Sequence, residues 1–168
     1  MVNAMDLALL IAEALKFIFP AYCANAAPVL AKGKRPIDHG KNLFDHKRIL
    51  GANKTYEGFL TGLAIGTAVG TIDCLIFNYP WLFAVLTPLG ALLGDLVGAF
   101  LKRRLNIKPG GLLPVVDQVD FVVGALVFAL PVMAISWELA VAVLLITPPI
   151  HLFTNFVAYK LRLKKNPW

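Results

Sequence analysis

The placement of positive charge constrains this chain more than any other feature. All sixteen Lys and Arg residues except Lys16 fall in three segments. The first, 31–56, holds Lys32, Lys34, Arg35, Lys41, Lys47, Arg48 and Lys54. The second, 102–117, holds Lys102, Arg103, Arg104 and Lys108. The third is the C-terminal tail with Lys160, Arg162, Lys164 and Lys165. Everything between is apolar. The chain is 58% hydrophobic and 15% charged, whereas a soluble domain sits near about 45–50% and about 25%. Lipid, not water, is the solvent this pattern suits.

A hydrocarbon core of roughly 30 Å takes about 20 helical residues. Stretches at about 57–77, 81–101, 118–136 and 139–159 meet that length. A first stretch, about 4–30, is long enough but is interrupted by Asp6, Glu13, Lys16, Pro20 and Asn25. The expectation is an all-α, multi-pass membrane protein, one domain over residues 1–168, with about five transmembrane helices. The links at 78–80 and 136–138 are short and hold no Lys or Arg. Five spans put the three basic segments on one side, and the positive-inside rule makes that side cytoplasmic, with the N-terminus outside. The first stretch lacks a basic leader and carries acids, so it reads as a structural helix rather than a cleaved signal. Cys23 and Cys74 lie in apolar surroundings with no CxxC or Cys/His spacing and read as packing residues.

Two glycine ladders, Gly58/Gly62/Gly66/Gly70 and Gly90/Gly94/Gly98, mark seams where helix backbones approach closely. Such seams serve helices within one chain or between two copies, which leaves room for a homodimer.

Ionisable groups at membrane depth are costly and face a cavity or a partner. Asp95 lies inside the third span, with Lys102 seven residues later on the same face. An ion pair and a functional role both fit. Asp117 and Asp120, at i and i+3, share a face of the first turn of the fourth span. N-capping accounts for Asp117 but not for Asp120. A Mg²⁺ ion, commonly held by one or two carboxylates with phosphates and waters, would offset their repulsion. With the Lys102-Arg103-Arg104 run between these acids, 94–120 suits nucleotide phosphates at a membrane face. In the first basic loop, Gly51 and Gly58 bracket Lys54 and Thr55. The GxxxxGK[ST] spacing of a P-loop is absent, yet Lys54, Thr55 and nearby backbone N–H groups could meet phosphates. Asn25 could hydrogen-bond a base, a ribose or a neighbouring helix. Asp73 and Glu138 receive no role, and His39, His46 and His151 show no ligand spacing.

These residues resemble a family. Gly94-Asp95, Lys102-Arg103 and Asp117-x-x-Asp120 are similar to the C-terminal signature of the CTP-dependent phosphatidate cytidylyltransferases. Pro36-Ile37-Asp38-x-Gly40-Lys41, Arg48-Ile49-Leu50-Gly51-x-x-Lys54-Thr55 and Asp117-Gln118-x-Asp120-Phe121 resemble the archaeal branch, the CDP-archaeol synthases, over about 25–124. Where the wider family has a second Lys-Asp and a His-Gly-Gly, this chain has Lys108-Pro109-Gly110-Gly111, so the wider family's full metal set is not carried over.

The resemblance implies transfer of the cytidylyl group of CTP to 2,3-bis-O-(geranylgeranyl)-sn-glycerol 1-phosphate, with pyrophosphate released. It implies Mg²⁺ held by Asp95, Asp117 and Asp120, the triphosphate neutralised by Lys54, Lys102 and Arg103, and a nucleotide site shaped by Asp38, Lys41 and Thr55, with Asn25 nearby. Asp95, Lys102, Asp117 and Asp120 would form the catalytic set, and the prenyl tails would lie in helix grooves open to the bilayer. CTP, an isoprenoid glycerol phosphate lipid and the cell membrane are the expected partners, with no nucleic acid. The nearest rival is a CTP-dependent polyprenol kinase, which would yield CDP. A small transporter would call for repeats or broken helices, and no repeat is found. A CDP-alcohol phosphotransferase would need a DGxxAR pattern that is missing.

Overall fold

The computed structural model describes residues 4–108, 110–164, 166 and 167. Pro109 and Lys165, named above, lie outside the described residues. The chain forms α1 (Ala4–Ala26), α2 (Pro28–Ala31), α3 (Tyr56–Phe77), α4 (Phe83–Arg104), α5 (Val116–Ala129) and α6 (Trp137–Lys160). Among the described residues there is no strand, only two isolated antiparallel bridges inside the first basic loop, Pro36 with Thr55 and Asn42 with Arg48.

Four helical stretches are long and apolar enough to cross a membrane: Asp6–Ala31, Tyr56–Phe77, Phe83–Arg104 and Trp137–Lys160. The expected fourth span, 118–136, is corrected. Helix α5 has 14 residues, about 21 Å at 1.5 Å per residue, and stops at Ala129. Pro131 marks the stop: Leu130 is still helical and bonds Leu126 O, but Pro131 has no N–H to continue the ladder, and Val132 and Met133 N–H both turn onto Ala129 O (3.0 and 3.1 Å). Turns over 130–135 then lead to Ser136, whose side chain caps α6 by accepting from Leu139 N–H (3.2 Å).

Both glycine ladders are used within the chain. A Cβ on Gly62 would lie 2.6 Å from Ala24 O, and one on Gly70 would lie 2.8 Å from Ala84 Cα, so α3 fits against α1 and α4. The second ladder faces α5: Gly90 and Gly124 abut so closely that a Cβ on Gly90 would meet Gly124 O at 2.3 Å. Helix α5 packs chiefly on α4, and α6 closes the bundle against α1 and α5. Phe17, Phe83, Phe121, Val122 and Val143 fill the core between them.

The basic segments meet at one end of the bundle. Lys47 Nζ donates to Arg104 O (2.9 Å), and Arg104 reaches back to Asp45 (2.9 Å), Lys47 O (3.2 Å) and Arg48 O (2.6 Å). The tail joins the second loop where Asn166 Nδ2 donates to Gly110 O (3.0 Å).

Candidate active site

The site grows from the seam between α4 and α5. Helix backbones separated only by glycine come close enough for one helix to insert a polar side chain beside the other. Gly94 lies under Asp120 O, where a Cβ would meet it at 2.3 Å. Gly98 lies under the Asp120 carboxylate itself, where a Cβ would meet Oδ2 at 1.8 Å. The ladder is therefore a packing seam whose last member makes room for an acid.

Around that acid, residues far apart in sequence converge. Lys54, from the loop before α3, forms an ion pair with Asp95 of α4. Asp95 in turn lies near enough to Asp120 for the two to repel. Lys102 donates to Asp117 Oδ2 (3.0 Å) and to Gly111 O (3.3 Å), and Leu113 N–H also reaches Asp117 Oδ2 (2.9 Å). The Lys102 ammonium lies 3.0 Å from Asp117 Oδ1 as well, so it spans both carboxylate oxygens, and no other donor among the described residues reaches the buried Oδ1. Asp117 follows Val115, a β-branched residue at φ +68°, the kind of backbone outlier that gathers at functional sites.

Arg103 is 8% exposed, and its Nε has no acceptor among the described residues. It lies under Gly51, where a Cβ would come 3.0 Å from Nη1 and where φ is +107°. A side chain at 51 would thus meet both a steric and a conformational barrier. A buried guanidinium with an open donor suits an anion delivered by a ligand.

Other residues singled out in the sequence stand differently. Asp38 is buried at 5% exposure, and its carboxylate is fully engaged by Arg48, by Leu50 and Gly51 N–H (3.1 and 2.8 Å) and by Gly40 N–H (3.0 Å). Burial alone would raise its pKa, but Arg48 and these backbone donors hold it well below the usual carboxylate range. Asp38 thus folds the loop that carries Gly51 and Lys54. Thr55 caps α3 by accepting from Gly58 N–H (3.2 Å) and packs against Gly33. Lys41 is exposed and engaged only through its backbone. Asn25 is half-buried near the end of α1, with no side-chain hydrogen bond among the described residues.

In sequence, the basic residues of the tail fit topology alone and His151 shows no ligand spacing. Yet Lys164 and His151 both lie within electrostatic reach of Asp95, Lys102 and Asp117. The i, i+4 spacing of His151 and Asn155 on α6 was the available clue.

Among the described residues no group of three His, Cys, Asp or Glu side chains converges on a metal position. The expected set of Asp95, Asp117 and Asp120 is therefore not preassembled, because Lys54 and Lys102 stand against two of its members. Asp117, whose Oδ1 meets only the Lys102 ammonium, and the neighbouring Asp95 and Asp120 still fit an ion bound through one or two carboxylates and completed by phosphate oxygens.

A groove of about 390 Å³ runs from this point along the outer face of α4 and α5, lined by Val97, Leu101, Val119, Val123, Val127 and Phe128, with Asp120 its charged lining residue.

Comparison with known proteins agrees with this architecture. A family model described as CarS-like CDP-archaeol synthase matches residues 7–168. The CDP-archaeol synthase of Pyrococcus furiosus is 45% identical over 94% of this chain and 98% of its own. That of Thermofilum pendens is 46% identical over 94% of this chain and 81% of its own. A solved structure of an intramembrane enzyme for archaeal membrane lipid biosynthesis superposes with a TM-score of 0.81 at 40% identity, covering 86% of this chain and 94% of that one. With the matched model spanning nearly every residue, the chain belongs to the CDP-archaeol synthase family.

Proposed function

We propose that this protein transfers the cytidylyl group of CTP to 2,3-bis-O-(geranylgeranyl)-sn-glycerol 1-phosphate, giving unsaturated CDP-archaeol and pyrophosphate. Beyond family membership, the observation that carries this reading is Arg103. A buried guanidinium with an unmatched donor, beside a loop that supplies Lys54, is a place for a polyphosphate.

A phosphate oxygen of the lipid attacks the α-phosphorus of CTP. The new P–O bond forms as the bond to the β-phosphate oxygen breaks, and pyrophosphate carries off the charge. A phosphate monoester has a second pKa of about 6, so the nucleophile is already largely dianionic near neutrality. No strong base is required, and rate comes from positioning and charge neutralisation. Arg103, Lys54 and Lys102 neutralise the triphosphate. Asp38 acts through the loop, by fixing Gly51 and Lys54. Asp117, with Asp95 and Asp120, would hold Mg²⁺, which supplies further neutralisation of phosphate charge when bound. Asn25 offers an amide for the nucleoside. The apolar groove along α4 and α5 receives a prenyl chain from the bilayer, with its charged end at Asp120. The basic face is taken as cytoplasmic by the positive-inside rule, and all of these residues belong to one chain.

The test is purified protein with CTP, Mg²⁺ and the lipid phosphate. Pyrophosphate and CDP-lipid should appear in equal amounts. Release of CDP from CTP with phosphorylation of a lipid alcohol would instead mark a kinase, and no turnover of any lipid phosphate would overturn the reading.

A further inference from the structure

The C-terminal tail does more than end the chain. Past Lys160, helix α6 is closed by bonds from Leu163 and Lys164 N–H to Ala158 O (2.9 and 3.3 Å), with Arg162 at φ +60°. A left-handed residue without a glycine costs roughly 1 kcal/mol or more, and here it reverses the chain so that Lys164 returns onto its own helix. Lys164 Nζ then donates to Asn155 Oδ1 (2.8 Å). Asn155 Nδ2 lies 3.2 Å from the His151 ring nitrogens, and that ring packs on Phe121 at a centroid distance of 5.8 Å. Phe121 directly follows Asp120. A second line of contacts leads to the same place: Asn166 holds Gly110 O, and Gly111 O receives Lys102, the partner of Asp117. Two independent chains of contacts thus fold the tail over the α5 side of the site, opposite the loop that brings Lys54.

We propose that Lys164 is a phosphate-binding residue of the site, held over the Asp117–Asp120 turn by Asn155 and His151, and that the tail is a clasp completing the site on that side. This rests on the cytidylyltransferase reading above. An ammonium oriented by an amide, itself oriented by a half-buried ring, is a preorganised donor for a phosphate oxygen. Its electrostatic surroundings agree. Burial, then repulsion from Lys54 and Lys102, holds the Lys164 pKa below the usual lysine range against the opposing pull of Asp95 and Asp117. A bound phosphate relieves that repulsion. The phosphate could come from the nucleotide or from the lipid, and the experiment separates the two.

Initial rates of Lys164→Gln and Lys164→Arg should be measured against CTP at saturating lipid phosphate, and the reverse. Thermal midpoints in detergent serve as the control for folding. Lys164→Gln should raise one KM roughly ten- to hundredfold, the scale of one charge-assisted hydrogen bond, with an unchanged midpoint and with Lys164→Arg recovering most of the loss. A rise confined to CTP assigns the nucleotide phosphates, and a rise confined to the lipid assigns its headgroup. Lys164→Gln kinetics equal to wild type, or a loss that Arg does not restore, would overturn the proposal. If the wild type itself released no pyrophosphate, the parent reading would fail instead.

Discussion

Asp38 and Asp117 make an instructive pair. Both are acids in basic loops or beside them, and both carry sequence motifs pointing at the nucleotide. The structure treats them in opposite ways. Asp38 has a full complement of partners, Arg48 and three backbone N–H groups, and is sealed from solvent. Asp117 has one backbone N–H, from Leu113, and otherwise rests on the Lys102 ammonium, 3.0 Å from each oxygen. A carboxylate whose acceptor sites are all filled organises backbone. One held chiefly by a single lysine, a point charge on a flexible stem, can exchange that partner for a bound ion. Motif membership does not distinguish the two, whereas hydrogen-bond accounting does.

The largest effect expected from this contrast is at Asp117. Asp117→Asn keeps the shape and one acceptor for Leu113 but removes the charge, and should lower kcat/KM roughly 100-fold or more, on the scale of losing one preorganised electrostatic group. Full activity in that variant would erase the difference between the two acids.

Next comes Asp38→Asn, which should act on stability. Losing the charged acceptor of a buried network costs on the order of 2–3 kcal/mol. The variant should melt earlier yet keep near-normal kcat well below its midpoint. Amide exchange at Leu50 and Gly51 should rise. The pH dependence has a definite sign, because the folded pKa lies below the unfolded value. The stabilisation from Asp38 is complete above an unfolded pKa of about 4 and is lost only as pH falls further, toward the folded value. Protection of the Leu50 and Gly51 amides should therefore hold down to about pH 4 and fail below it. A fully folded Asp38→Asn protein without activity would instead place Asp38 in contact with the ligand.

The smallest effect should come from the groove. Val97→Trp or Val123→Trp, both at exposed positions facing lipid, should raise KM for the lipid phosphate a few fold and leave KM for CTP unchanged. An equal rise for both substrates would separate the groove from the lipid.

How far the sequence carried the reading can be judged from particular elements. The apolar stretches and the one-sided basic residues located α3, α4 and α6 to within a few residues, because burial in lipid imposes length and purity on each helix independently. The fourth stretch differs in length: its helix ends at Ala129, ahead of Pro131, although the apolar run continues past it. The glycine ladders were recognised as seams, but nothing in their spacing shows that Gly98 would face Asp120, since the partner of a seam is set by how three helices share one interface. The same holds for the acids. Sequence chemistry by itself determined that this is a multi-pass membrane protein with acids and bases gathered at one face, because hydrophobic length and charge are local properties. Only the tertiary structure decided that Asp38 is a scaffold, that Asp117 rests on Lys102 while Arg103 keeps an open donor, and that the tail reaches the site. Whether a polar atom is matched depends on which distant segment arrives beside it.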